Sequence, residues 1–504
     1  MKRRTFIGAG LAGIGGALFG CNGGAGDEQA VTGAVDADGF VRGQPLRQFD
    51  LLRNESQDQR FFSASLSAAA GDVNLIAGRI TPMLLYNQRT PGPLIELREG
   101  QRVRIELDNQ LAHETTIHWH GLPIPSEQDG NPMDPVPAGT KRVYDYVLPQ
   151  GCAGTYWYHP HPHNATAEQV VSGLAGPLLI RAAADPLAHV SELCLFISGV
   201  RLGPDGRIEP HTALDWAVGR QPDTLLVNGA RVPRHTVRPG TTQRWRIVNA
   251  TAAHHFRLAL EGHQFTLVGT DGGLLGAPVA GLSEILIAPA QRVEVLVTID
   301  RTQSAQYRLR ALRYQTDVLN LGNYADDELM TVATTSETPE SAIPAPAVLR
   351  PIADLGDASV RQRVELTEVE GLCTRSGAKI AFLINGRIFD ANRIDLTSRV
   401  GQVELWDIVN LTGMAHPFHV HGTQFQLVSR QLGQIVTPAP YLAWVDTVLV
   451  PPQHSATIKI RQDFPGKRMF HCHILEHEDN CMMAILDVLP HTSATTTGRF
   501  VASS

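Results

Sequence analysis

The chain is poor in cysteine, with six in 504 residues. That density excludes a disulfide-scaffolded fold, so stability must come from apolar packing. Positive charge is not in excess. Lys and Arg total 43 against 50 Asp and Glu, giving a net charge of −7. With a sequence pI near 6.3, nucleic acid is not an expected partner. Helix-like apolar periodicity is scarce. The apolar run near the N-terminus is too short for a stable membrane span. What remains is an ordinary globular composition, 43% apolar and 18% charged, at a length that suggests about three domains.

Histidine is what the chain has. One stretch holds three histidines, two cysteines and a methionine: His471-Cys472-His473-Ile474-Leu475-Glu476-His477-Glu478-Asp479-Asn480-Cys481-Met482. It reads as a strand running into a turn. Side chains alternate along a strand, so His471 and His473 point one way and Cys472 the other. Cys472 then shares its side with His477 and Met482. Thiolate, imidazole and a weak thioether are the donors of a blue-copper electron-transfer site. The missing imidazole comes from His416 in His416-Pro417-Phe418-His419-Val420-His421, where His419 and His421 share the opposite parity. Two metal sites back to back are implied. Two further pairs, His118-Trp119-His120 and His159-Pro160-His161, bring the pairs at spacing two to four, enough histidine for three more copper ions.

A strand pattern repeats along the chain. Gly100 to Asn109, Gly240 to Asn249 and Gly401 to Asn410 each alternate apolar and polar residues between a glycine and an asparagine. Three copies imply three homologous β domains, with sandwiches joined by Greek-key connections as the expected solution. We place them at residues 45–183, 190–335 and 351–490, with linkers at 182–189 and 335–351. The run Gly154 to His161 aligns with Gly466 to His473, and Pro160 takes the place of Cys472. The first domain therefore cannot make the thiolate site. In the middle domain Glu261 stands where His421 should be, and no cysteine follows, so it reads as a spacer without metal. The histidine cluster must then bridge the first and third domains, and metal binding should stabilise the fold. Trp245 and Trp406 occupy equivalent strand positions and read as core. His254, His255 and His263 read as ordinary polar residues of the middle domain.

The four ordered histidine motifs around Cys472 resemble those of the multicopper oxidases, the family of laccases, copper-efflux oxidases and ferroxidases, over nearly the whole chain. The resemblance implies an all-β fold of three cupredoxin-like Greek-key domains. It implies four coppers per chain. A type 1 copper takes His416, Cys472 and His477, with Met482 axial. A type 2 copper takes His118 and His419. Of two type 3 coppers, one takes His120, His159 and His473, the other His161, His421 and His471. A register using His161 and His163 is the alternative. Asp129 and Glu478 match family positions for proton relay, which dioxygen reduction needs. The family usually has glycine near Cys481. The pairing of Cys152, Cys194, Cys373 and Cys481 stays open, with buried packing the default.

The implied activity is an oxidase that passes electrons from a small reducing substrate to dioxygen. No methionine-rich run is present, with eight methionines in all, and no acid closely precedes His416. Cuprous oxidases of the family carry such a run and tend to have such an acid. Laccase-like oxidation of phenols and aromatic amines is therefore the first expectation, oxidation of Cu(I) or Fe(II) the second, and a copper-free envelope scaffold a remote third. A monomer is expected. Arg3-Arg4 before a Gly/Ala-rich apolar run within residues 1–25 resembles a twin-arginine export signal. That predicts a periplasmic or cell-envelope location, by way of the twin-arginine machinery. The run ending at Cys21 resembles a lipoprotein box, so Cys21 is a candidate lipid anchor.

Overall fold

A computed structural model describes residues 34–319, 325–370 and 380–491. The expected export segment with Arg3, Arg4 and Cys21 lies outside the described residues, as does Cys373. Strands dominate, and six of the sheets fall into three pairs along the chain. In the first pair, strands Arg79–Tyr86, Phe61–Ile76, Arg102–Asn109 and Lys141–Val147 lie side by side. The facing sheet runs Ile95–Arg98, Gly176–Arg181, Gly154–His159, His118–His120. The second pair lies within residues 191–334 and the third within 360–489. Each copy contains two parallel pairings, one per sheet. In the first they join Phe61–Ile76 to Arg102–Asn109 and Ile95–Arg98 to Gly176–Arg181. In the third they join Val360–Glu370 to Val403–Asn410 and Leu396–Arg399 to Met483–Leu489. Parallel partners cannot be joined by a hairpin, so the chain must cross between sheets, as in a Greek key.

The repeated glycine-to-asparagine strand has a specific task. Gly100, Gly240 and Gly401 all have positive φ, at 74°, 79° and 79°, which glycine adopts without strain. The strand that follows alternates out and in across Arg102–Asn109 and Val403–Asn410, as the sequence predicts. The middle copy, Thr242–Asn249, is buried on both faces. Its polar positions Arg244 and Arg246 clasp Glu294, at 2.5 Å each, while Thr155 of the first sandwich donates to the same carboxylate at 2.6 Å. The outer face is thus covered by the first sandwich, and ion pairing offsets the burial of charge.

The terminal asparagine closes a corner each time. Asn109 Nδ2 donates to the carbonyls of His113 and Val136, each at 2.9 Å. Asn249 donates to His254 O and Ile287 O at 2.8 and 3.1 Å, and Asn410 to Met414 O and Val450 O at 2.6 and 2.9 Å. Buried carbonyls need such partners. In the first and third sandwiches the corner leads directly into the histidine strands.

Each sandwich has its own apolar core, and Trp245 and Trp406 lie fully inside theirs. Both indoles donate to the residue two positions upstream, Gln243 and Glu404. Helix is confined to short pieces such as Thr166–Val171, Ala213–Val218 and Leu475–Asp479. The last of these occupies the expected turn after Cys472.

Candidate metal centre

Two pairs of short strands carry the histidines. His118–His120 pairs antiparallel with Gly154–His159, placing His118 opposite His159. His416–Val420 pairs with Gly466–Cys472, placing His419 opposite His471 and Phe418 opposite Cys472. Alternation along the strand separates two spaces. His118, His120, His159, His161, His419, His421, His471 and His473 gather in one, while His416, Cys472 and His477 gather in the other. All eleven are buried at 0% exposure. His118 stacks on His421 with ring centroids 3.8 Å apart, and His120 on His419 at 4.0 Å, so each sandwich interleaves with the other.

Backbone carbonyls only accept, so they fix the ring tautomers. Asp129 O, Pro160 O, Asp446 O and Cys472 O take Nδ1–H from His118, His159, His419 and His471, at 2.9, 2.9, 2.8 and 2.9 Å. Nε2 of each is then a bare lone pair, and in His118, His159 and His419 it has no partner. His421 donates Nδ1–H to Asp129 Oδ2 at 2.7 Å. Its Nε2 faces His471 Nε2 at 3.0 Å, and His161 Nε2 lies 3.3 Å from that same atom. His120 is reversed: Nε2 donates to Asp446 Oδ1 at 3.0 Å and Nδ1 is unpartnered. Burial, ahead of the neighbouring rings, holds His120, His161, His419, His421 and His473 well below the ordinary imidazole value. It brings His471 to about 3. Neutral imidazoles turned lone pair to lone pair repel unless cations lie among them, and this is the protonation state that binds metal.

The second space is smaller and softer. Cys472 Sγ lies 3.3 Å from His416 Nδ1 and 3.9 Å from His477 Nδ1. The Ile474 amide donates to the sulfur at 3.4 Å, which stabilises a thiolate. Thr412 Oγ1 meets His416 Nε2 at 2.8 Å, and Phe382 stacks on the His477 ring at 3.8 Å. Burial raises the Cys472 thiol and holds His416 at about 3, so binding a cation here releases the thiol proton. Two imidazoles with one cysteine suit copper. Met482 is fully buried in the same core cluster as Cys472, and its backbone bonds both Cys472 and His477. Met483 faces a different cluster with Phe389 and Met469. Cys481 sits at φ 77°, a conformation that favours glycine.

The expected acids both lie at the histidine cluster. Asp129, besides its bond to His421, places Oδ1 3.6 Å from His118 Nδ1. Glu478 lies between rings of the first and third sandwiches, with Oε1 3.2 Å from His161 Nε2 and Oε2 3.2 Å from His471 Nδ1. Burial, then Asp479, raises its carboxyl well above the usual range. His161 rather than His163 joins the cluster, and the His163 ring packs on Phe389 at 5.0 Å. Cys152 and Cys194 are unbridged thiols, raised to about 12 by burial. His254 and His255 are buried, His254 bonding Gln221 at 2.9 Å and His255 the Ala253 carbonyl at 3.1 Å.

Sequence reasoning missed Asp446. Its carboxylate holds His120, its carbonyl holds His419, and Arg292 of the middle sandwich grips it at 2.6 Å. It missed Glu476 as well, which pairs with His211 at 3.1 Å beside the thiolate space. No local spacing marks these residues, because their partners are between 27 and 326 positions away.

Three family models described as multicopper oxidase match the chain, at residues 68–185, 207–333 and 362–492. The chain is 30% identical over 454 residues to "Multicopper oxidase mco" of Staphylococcus aureus, covering 87% of this chain and 91% of that one. It is 26% identical to a laccase of Bacillus subtilis, over 81% of this chain and 90% of that one. Among solved structures it resembles a multicopper oxidase of Campylobacter jejuni described as a metallo-oxidase. The TM-score is 0.84 at 38% identity, covering 91% of this chain and 98% of that one.

Proposed function

The chain belongs to the multicopper oxidase family, and from that premise we propose that it is a laccase-type oxidase holding four coppers. The family's reaction is oxidation of a reducing substrate with dioxygen as acceptor. We assign one copper to His416, Cys472, His477 and Met482, one to His118 and His419, and two to the remaining six histidines. The observation that carries this reading is the set of bare, facing imidazole nitrogens on one side of residues 471–473, with the cysteine cluster on the other. Bound copper supplies the one-electron couples that reduction of dioxygen to water requires. The chain supplies the rest. Cys472 turns its sulfur to one cluster, while its covalent neighbours His471 and His473 belong to the other. Glu478 holds a proton beside His161, and Asp129 orients His421.

Aromatic donors are supported by the surface outside the thiolate cluster. Thr412 covers the outer nitrogen of His416, and on either side of it lie exposed Leu411 and half-buried Gly413, the latter against exposed Val318. Leu411 and Val318 suit a phenol, while the exposed Glu368 carboxylate, which accepts the Gly413 amide at 3.3 Å, suits a cation. The Campylobacter metallo-oxidase favours a second reading, in which Cu(I) or Fe(II) is the donor. Oxygen uptake with phenols, Cu(I) and Fe(II) separates the two: turnover on metal ions alone removes the laccase assignment. Copper per chain tests the class, because about four fits the oxidase, about one an electron shuttle and none a scaffold. The Arg3-Arg4 pair supports export through the twin-arginine machinery. Changing both to Lys should leave the protein in the cytoplasm, since the guanidinium pair is lost, and normal export of that variant would refute it.

A further inference from the structure

The middle sandwich supplies no histidine to either cluster, but it does supply Arg292. This side chain is fully buried, and its guanidinium donors all have partners. Nε donates to Thr155 O at 2.9 Å, on the strand that ends in His159. Nη1 donates to Ala290 O at 3.1 Å and to Asp446 Oδ1 at 2.9 Å. Nη2 donates to Asp271 O at 3.1 Å and to Asp446 Oδ2 at 2.6 Å. The pair is the bidentate fork that only arginine makes. Tyr156 lies under the guanidinium at 5.4 Å, and a side chain on Gly121 would collide with both Asp446 and Arg292.

Asp446 is what the fork holds. Its Oδ1 accepts from His120 Nε2, and its carbonyl accepts from His419 Nδ1. One residue thereby orients a ring from the first sandwich and a ring from the third. His120 depends on it most. Four other rings are fixed by carbonyls close to a ligand strand, whereas His120 turns its Nδ1 toward the cluster with its Nε2–H taken by Asp446 at 3.0 Å, ahead of the Thr447 hydroxyl at 3.4 Å.

We propose that Arg292 is a positioning residue of the histidine-held copper cluster, acting through Asp446 to set the tautomer and orientation of His120 and His419. The middle domain is then a structural partner of the metal site and not a spacer. This rests on the copper assignment above, and its test is built to fail separately. Arg292→Lys keeps the charge and removes the fork. Loaded with copper, it should keep the blue absorption of the thiolate site, which lies on the other side of Cys472. Its histidine-held copper should dissociate more readily in dialysis against a chelator, by on the order of 10- to 100-fold. The type 2 paramagnetic resonance signal and the near-ultraviolet band should change with it.

Wild-type protein that takes up no histidine-held copper would refute the assignment of the coppers and leave Arg292 without a role. Against a wild type that does, two results overturn the proposal. One is Arg292→Lys with wild-type copper retention and resonance. The other is parallel loss of both sites in a variant that still folds, which would make Arg292 a plain interdomain brace. If Arg292→Lys cannot be recovered folded, Asp446→Asn decides, because it sets an amide N–H against Arg292 Nη2 while keeping volume. Selective loss of the histidine-held copper supports the proposal, and unchanged retention refutes it.

Discussion

The first and third sandwiches use one strand arrangement for two different outcomes. In both, a corner asparagine leads into a short histidine strand, which pairs antiparallel with a second. His118 faces His159 as His419 faces His471. Gly176 lies opposite Tyr158, and Ala484 lies opposite Phe470. Counting back from those partners aligns Leu174 with Met482 and Gly173 with Cys481. Pro160 aligns with Cys472. Each sandwich gives four imidazoles to the shared cluster, yet only the third adds a site of its own. The difference comes down to a few side chains in one backbone frame, so converting the third toward the first is a graded experiment.

The largest step is Cys472→Ser. It removes the thiolate on which the second site depends, as Pro160 does in the first sandwich. The intense visible band of a copper site with two imidazoles and a thiolate should vanish, and turnover should fall to background. Absorption by the histidine-held coppers should persist, because His471 and His473 are untouched. A variant that stays blue would show that another cysteine is the ligand.

The next step concerns where the two sandwiches exchange groups. Asp129 of the first reaches His421 of the third, and Glu478 of the third reaches His161 of the first. Glu478→Gln keeps shape and removes a proton carrier, so oxygen turnover should fall by about 10²-fold or more, with the blue band and copper content kept. Asp129→Asn still offers His421 an acceptor oxygen and should also slow turnover. Because Asp129 also orients His421, this variant should in addition loosen the copper assigned to that ring. Unchanged turnover across pH in either variant would reduce that acid to a structural one.

Parity along strands made both clusters legible before any coordinates, since His471, Cys472 and His473 can only alternate. The glycine-to-asparagine repeat revealed the three β units for the same reason: a strand has a period that a sequence displays. What stayed hidden is long-range. Arg292 and Asp446 meet across 154 positions, and neither lies in a motif. The reversed ring of His120 follows from that meeting, so its spacing to His118 carries no sign of it. Helix Leu475–Asp479 has five residues, too few to show a helical period. The burial of Arg244 and Arg246 is hidden likewise, because alternation reports one covered face and cannot report that a neighbour covers the other.

A smaller effect should come from Met482→Leu, which installs the residue the first sandwich has at Leu174. As a weak donor to the copper assigned here, the thioether would favour Cu(II), so losing it should favour Cu(I). The potential of the thiolate site should rise by about 60 mV for each tenfold change in the ratio of the two affinities. Volume hardly changes, so folding should not suffer. Met483→Leu is the control, because Met483 packs with Phe389 and Met469 on the other side. A shift in Met483→Leu alone would place the axial ligand one residue later.

The smallest step is Cys481→Gly, matching Gly173. Both positions have positive φ, 77° and 119°. A side chain in that region costs about 1–2 kcal/mol through its Cβ, and glycine avoids the cost while giving up about 0.5–1 kcal/mol in unfolded-chain entropy. The Cys481 side chain also packs at the edge of the Phe389 cluster, a contact that glycine loses. These terms nearly cancel, so Cys481→Gly should leave stability within about 1 kcal/mol of the parent. Cys481→Ala separates them. It keeps the Cβ and its strain but loses the sulfur contact, so it should be less stable than Cys481→Gly by about 1 kcal/mol. Denaturant midpoints of the metal-free proteins measure the gap. The blue band should be the same in both, because Met482 and Cys472 hold their places through backbone bonds that neither change touches. Equal stability of the two variants would mean that the backbone relaxes out of the left-handed region once cysteine is gone. A shifted band in both would make the Cys481 sulfur part of the copper site.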